Sequence, residues 1–147
     1  MTDEIIRIAR PEEHARVLQT YEGWGYGGGV QPDDRIYVAE VGGELAGIVR
    51  RTHEHGVTML RGMQIAPERR GRGIGWRLLQ ALVAELGGEE CFCVPYTHLT
   101  GFYGSAGFVE IPEENAPPFL RYRMAGYRTR GLSVLAMRRP GSVEAAS

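Results

Sequence analysis

The chain has 147 residues and a formal charge of −1, from 17 basic and 18 acidic side chains, and every basic one is arginine. That length suits one domain with an ordinary core, and the near-zero charge argues against nucleic acid or an anionic membrane as a general partner. No apolar run approaches the ~20 residues of a membrane span, and the start Met1-Thr-Asp-Glu lacks the basic-then-apolar pattern of a secretory leader. A cytoplasmic location is therefore expected, and Cys91 and Cys93 are too few for a disulfide framework.

In chain order, Ile5 to Ala9 alternates apolar and polar and predicts a first strand. Pro11 to Tyr21 predicts a helix, with Pro11 at its first position and Ala15, Val17 and Leu18 as apolar candidates. Glu22 to Asp34 is glycine-rich and loop-like and contains Trp24 and Tyr26. Arg35 to Val41 and Glu44 to Arg51 predict two strands joined by a Gly42-Gly43 hairpin turn. Val57 to Ile65 predicts the next strand, and Gly62 inside it signals a bulge or a close backbone approach.

Downstream, Gly75 to Leu86 carries Leu78, Leu79, Leu82, Val83 and Leu86 at helical spacing, and Gly87-Gly88 ends that helix. Glu90 to Val94 predicts a strand, Thr97 to about Ala106 a short helix, and Gly107-Phe108 the opening of another strand. Ile111 to Pro118 predicts a loop, Phe119 to Tyr127 an added helix and Ser133 to Met137 a last strand. The expected organisation is one domain over residues 1–140, then a fraying tail over 141–147. The order implies a mixed α/β (α+β) fold with an antiparallel first half and helical crossovers later.

Between the Val57–Ile65 strand and the next helix stands Arg69-Arg-Gly-Arg-Gly-Ile-Gly-Trp76. A glycine-rich turn there leaves backbone N–H groups unpaired at the positive end of the helix dipole, which is a cradle for phosphate. The arginines add charge. No Gly-Lys-Ser/Thr follows, so the turn is not a P-loop, and Gly71-x-Gly73-x-Gly75 is not the dinucleotide spacing.

Two motifs together carry a resemblance. Arg70, Gly73 and Gly75 meet the pattern Gln/Arg-x-x-Gly-x-Gly/Ala after Met63-Gln-Ile-Ala-Pro67, and Phe102, Tyr103, Gly107 and Phe108 meet aromatic-Tyr-x-x-x-Gly-Phe. On these the chain, from Ile5 to about Phe108, resembles the GNAT superfamily of acyl-CoA-dependent N-acyltransferases. The resemblance implies a mixed central sheet whose fourth and fifth strands splay at a bulge, with flanking helices, and acetyl-CoA as cosubstrate without a metal. It further implies that the backbones of Met63 and Ile65 pair with the pantetheine and that the N–H of Met63 faces the thioester oxygen. Gly71, Arg72, Gly73, Ile74, Gly75 and Trp76, with Arg70, are expected to hold the pyrophosphate. Tyr103 is implied as the general acid for the departing thiolate, since a phenol with pKa near ~10 keeps its proton at neutral pH. A homodimer is an expectation of the resemblance alone.

The chain departs from the family in two places. Where many members carry a basic glutamate or histidine on the fourth strand, Met59 and Arg61 stand here, and Tyr96 stands seven residues before Tyr103 where asparagine is common. Glu54, His53, His55 and His98 are the remaining candidates for a base. Trp24 and Tyr26 are candidates to line an acceptor pocket or, equally, to staple the loop to the core; Glu54, His55 and His98 join them as candidate substrate contacts. Cys91, Cys93 and His98 lack the second ligand pair of a structural zinc site, so buried thiols are expected. Arg121, Arg123, Arg128 and Arg130 form a solvated face or meet an anionic substrate. The expected activity is acetylation of a primary amine on a small metabolite. Protein or peptide acetylation and a non-catalytic acyl-CoA-binding module are the alternatives.

Overall fold

A computed structural model describes residues 3–142 of the chain. Its contacts divide it into two compact units: one holds the described residues up to His53 with Leu60–Glu85, the other Glu54–Met59 with the described residues from Leu86 onward.

In the first unit, β1 (Glu4–Ile8) pairs antiparallel with β2 (Arg35–Val41), and β2 with β3 (Glu44–Glu54). Next to β3 runs β4 (Val57–Ile65). A 3-10 turn over Pro11–Glu13 leads into α1 (His14–Gly23), whose Val17 and Tyr21 are buried with Ala9, Ile36, Val38 and Ile48. Helix α2 (Ile74–Leu86) places Leu78, Leu79 and Leu82 fully inside. A Cβ on Gly47 of β3 would meet the side-chain ends of Leu78 and Ile74 of α2 and of Ile65 at 2.8–3.0 Å, so a larger residue there would have to displace them.

In the second unit, the start of β4 pairs in parallel with β5 (Cys91–Cys93) through Met59 and Phe92. Strand β7 (Ala136–Arg139) pairs antiparallel with β5 and with β6 (Val109–Ile111). Two helices belong here, α3 (Thr100–Gly104) and α4 (Pro118–Thr129), and the core gathers Met59, Phe92, Leu120, Met124 and Ala136. Followed through β4, the strands form one seven-stranded mixed sheet in the order β1-β2-β3-β4-β5-β7-β6. Among the described residues, no helix is long and apolar enough to cross a membrane.

Several boundaries shift by a few residues from the sequence expectation. Strand β3 runs on to Glu54 rather than stopping at Arg51, because His55 and Gly56 form a two-residue turn with φ of +52° and +75° that carries the chain straight into β4. Strand β7 is Ala136–Arg139 rather than Ser133–Met137: Arg138 and Arg139 look like loop residues, yet they are registered with Phe92 and Cys91, and Val134 keeps only an isolated bridge to Tyr96. The helix expected from Pro11 starts as a 3-10 turn. Ser142 donates its N–H to the Gly88 carbonyl at 2.9 Å, while residues 143–147 of the expected tail and residues 1–2 lie outside the described residues.

Candidate active site

The first part of the site follows β4. Pro67–Arg69 makes one 3-10 turn, its end closed by the Arg69 N–H on the Ala66 carbonyl at 2.9 Å. Gly71 and Gly73 then adopt φ of +79° and +81°, conformations that side chains resist. Intrahelical bonding of α2 begins with the Arg77 N–H on the Gly73 carbonyl at 3.1 Å. The N–H groups of Ile74, Gly75 and Trp76 precede that bond and stand at the positive helix end. Residues 70–73 and Trp76 are exposed and Ile74 is buried. Arg77 is committed elsewhere: its guanidinium bonds Glu4 at 2.6 Å and the Arg72 carbonyl at 2.9 Å. That second bond ties the Arg72 backbone to the first turn of α2.

Upstream on the same strand, Gly62 has φ of +68°, a conformation that side chains resist. Its carbonyl accepts the Tyr21 hydroxyl at 2.7 Å. Around it lies a buried polar network. Arg50, whose side chain is 1% exposed, bonds Asp34 at 2.7 Å and the Tyr26 hydroxyl at 2.8 Å, and its guanidinium lies 5.7 and 5.8 Å from the Tyr21 and Tyr26 ring centroids. The two rings sit 4.5 Å apart, and burial pushes the Tyr21 phenol up from its ordinary pKa. Asp34 also accepts the Gln31 N–H at 2.9 Å, which ties down the end of the glycine-rich loop.

Tyr21, Asp34 and Arg50 escaped the sequence reading. One signal was available. Ala46, Ile48 and Arg50 share one face of β3 by its period of two, so Arg50 occupies a core position and must have a partner.

In the second unit, Tyr103 is 5% exposed on α3. The spacing Tyr103-x-x-x-Gly107-Phe108 has a physical reason. Gly107 takes φ of +92°, its N–H bonds the Gly104 carbonyl at 3.1 Å, and the Phe108 N–H bonds the Tyr103 carbonyl at 3.3 Å. These two bonds make a Schellman ending for the helix, whose characteristic apolar contact is here the Phe108 ring against the Tyr103 ring, 6.1 Å between centroids. Phe102 meets Tyr103 edge-on at 4.9 Å. Burial raises the Tyr103 phenol above its ordinary pKa, with a smaller contribution from Cys93.

The other candidates fall into separate places. Trp24 is half-buried against the first unit's core, beside Tyr26. Glu54 bonds Arg123 at 2.5 Å, and His55, in the turn after it, lies 4.6 Å from the Phe119 ring over which Arg123 also sits. His98 is exposed and stacks on Tyr96 at 5.9 Å. His53 lines a different cavity of about 780 Å³, with Arg10, His14, Arg35, Arg51 and Glu85. Ile65 and Met63 are half-buried on β4. Cys91 and Cys93 are buried free thiols, and burial raises the pKa of Cys93.

The acetyltransferase (GNAT) domain family matches residues 32–110, more than half of the chain. No curated protein sequence matches it. Among solved structures, the acetyltransferase of the GNAT family from Streptococcus pneumoniae has a TM-score of 0.69 at 17% identity, covering 92% of this chain and 98% of that one. Escherichia coli ElaA has a TM-score of 0.67 at 15% identity, covering 95% and 99%. The N-acetylglutamate synthase from Neisseria gonorrhoeae, complexed with coenzyme A and N-acetyl-glutamate, has a TM-score of 0.66 at 18% identity. That match covers 93% of this chain, which spans only 35% of the synthase chain. At these identities the likeness is one of fold.

Proposed function

Since the chain belongs to the GNAT family and is an acetyl-CoA-dependent acetyltransferase, we propose that it acetylates the primary amine of a small metabolite by direct attack. The observation that carries this reading is one continuous run: Gly62 at φ +68° in β4, then Met63 and Ile65, then Gly71 and Gly73 at φ +79° and +81° before α2. The left-handed backbone at Gly62 interrupts the regular strand conformation of β4, and the glycine turn offers N–H groups to a diphosphate. Acetyl-CoA supplies an activated thioester to such a site.

In this reading, the N–H groups of residues 71–76 bind the pyrophosphate, and the exposed Arg70 and Arg72 add charge. Met63 and Ile65 pair with the pantetheine through their backbones. The Met63 N–H donates to the thioester oxygen as negative charge develops there. The acceptor nitrogen forms a bond to the acetyl carbon, the carbon–sulfur bond breaks, and Tyr103 gives its proton to the leaving sulfur. The surplus proton on nitrogen passes to water or to a base among Glu54, His53, His55 and His98, and Tyr103 is reprotonated from solvent. A phenol is protonated at neutral pH at its ordinary pKa, and burial keeps Tyr103 so while making it a weaker acid. Trp24, Tyr26, Glu54, His55 and His98 are assigned to the acceptor side. The N-acetyl-glutamate in the Neisseria gonorrhoeae structure supports an acceptor of amino-acid size. The reading includes a cytoplasmic location and allows a homodimer, the latter tested by light scattering on the purified protein.

The decisive experiment incubates the protein and acetyl-CoA with amino acids, small polyamines and unstructured peptides, following thiol release and acceptor mass. Thiol release with small amines bears the proposal out. Release with peptides alone moves the activity to protein acetylation. Acetyl-CoA binding with no thiol release from any acceptor makes the chain a non-catalytic binding module.

A further inference from the structure

The carbonyl of Gly62 and the N–H of Met63 belong to one peptide unit. The Tyr21 hydroxyl donates to that carbonyl at 2.7 Å. No peptide bond among the described residues is cis, so the unit is trans and planar, and its C=O and N–H point in opposite directions. Holding the carbonyl on Tyr21 therefore turns the Met63 N–H away from α1. From this geometry we infer that Tyr21 is a positioning residue for acetyl transfer, fixing and polarising the peptide whose other end is the oxyanion donor. The inference rests on the reading of the Met63 N–H as that donor.

Three observations support a dedicated holder rather than incidental packing. Tyr21 is wholly buried, so its hydroxyl has no water to compete for the carbonyl. Its ring is packed against Tyr26 at 4.5 Å and lies 5.7 Å from the Arg50 guanidinium. Gly62 leaves no slack either: a Cβ there would stand 2.6 Å from the Tyr21 oxygen and 3.1 Å from both Arg50 Nε and the Tyr26 oxygen. The buried Arg50 Nε lies against this same point. A cation there draws electron density along the chain from peptide to phenol, and hydrogen bonds in series strengthen one another at low dielectric. An N–H whose carbonyl already accepts a hydrogen bond is a better donor. Preorganised donors of this kind act without reorganising as charge develops.

The test uses the full chain with acetyl-CoA labelled at the carbonyl carbon, without acceptor, and reads the thioester carbonyl stretch by isotope-edited infrared difference. Binding to the native protein is expected to lower the stretch, and Tyr21→Phe to return it toward the free value. Turnover with an amine should fall about tenfold while KM for acetyl-CoA holds. Placing 4-aminophenylalanine at position 21 keeps a donor and should restore both readings. If Tyr21→Phe does not fold, 3-fluorotyrosine at position 21 keeps the packing, strengthens the donor and should lower the stretch further. An unchanged stretch in Tyr21→Phe or in the fluorotyrosine protein overturns the inference while the Met63 reading stands. No lowering in the native complex overturns the Met63 reading, and this inference with it.

Discussion

Phe108 donates its backbone N–H to the carbonyl of Tyr103 at 3.3 Å and sets its ring edge-on to the same tyrosine, 6.1 Å between centroids. The two contacts are the polar and apolar halves of one helix ending, and both depend on Gly107 at φ +92° between them. Gly107→Ala must strain that backbone and bring a methyl to 3.3 Å from Arg139 Nε. The expected loss is about 1–2 kcal/mol of stability. Turnover should drop as well, because the ending sets the pose of Tyr103. Denaturant melts and kcat on the same preparation check both.

Tyr103→Phe removes the proposed acid and keeps the ring contacts. We expect kcat to fall by about 10²-fold with acetyl-CoA binding intact. The pH profile carries a second expectation. The phenol's pKa is raised above its ordinary value of 10 by burial, so its deprotonation moves to higher pH. The alkaline fall in kcat from this group should therefore begin above pH 10 in the native enzyme. An alkaline limb with a midpoint below that value, lost in Tyr103→Phe, contradicts this placement.

The glycine turn is expected to act on binding alone. Gly73→Ala imposes a side chain on φ +81°, and its methyl would stand 2.8 Å from Arg77 Nη1. The diphosphate is remote from the reacting carbon, so its contacts hold ground state and transition state alike. KM for acetyl-CoA should rise by about tenfold with kcat nearly constant. Steady-state kinetics over a wide acetyl-CoA range separates the two.

Breaking the buried ion pair should be costly. Arg50 and Asp34 are 1% and 2% exposed and 2.7 Å apart. Asp34→Ala leaves the guanidinium buried without its counter-charge, for an expected loss of about 3–5 kcal/mol. Arg50→Met combined with Asp34→Leu removes both charges and should recover most of it. Urea unfolding of the three proteins decides the point.

Acid stability should report on Glu13. The side-chain bonds from Arg7, at 2.8 Å to each carboxylate oxygen, hold its pKa at about 2, below the ordinary 4.5, with help from the Arg10 N–H. A depressed folded-state pKa means the unfolded chain takes up the proton first. The stabilisation is therefore complete above about pH 4.5 and is lost as pH falls towards 2. Glu13→Gln should flatten the melting temperature over that window relative to the native protein.

Much of this molecule is local in the sequence. Strands Arg35–Val41 and Val57–Ile65 have the bounds their patterns predict, and the helix expected from Gly75 begins at Ile74. The positive φ of Gly62, Gly71, Gly73 and Gly107 follows from glycine's freedom within a strand, in a turn and at a helix end. Those features depend on neighbours a few residues away, so the sequence alone determines them. The tertiary structure decided the rest, by pairing groups far apart in the chain. Arg138 becomes strand only because Phe92 and Val109 lie beside it in the sheet. Tyr21 meets Gly62, and Arg50 meets Asp34, because packing α1 onto the sheet buries polar groups that must then find partners at hydrogen-bond distance. No periodicity names such partners; burial makes them necessary, and the fold chooses them.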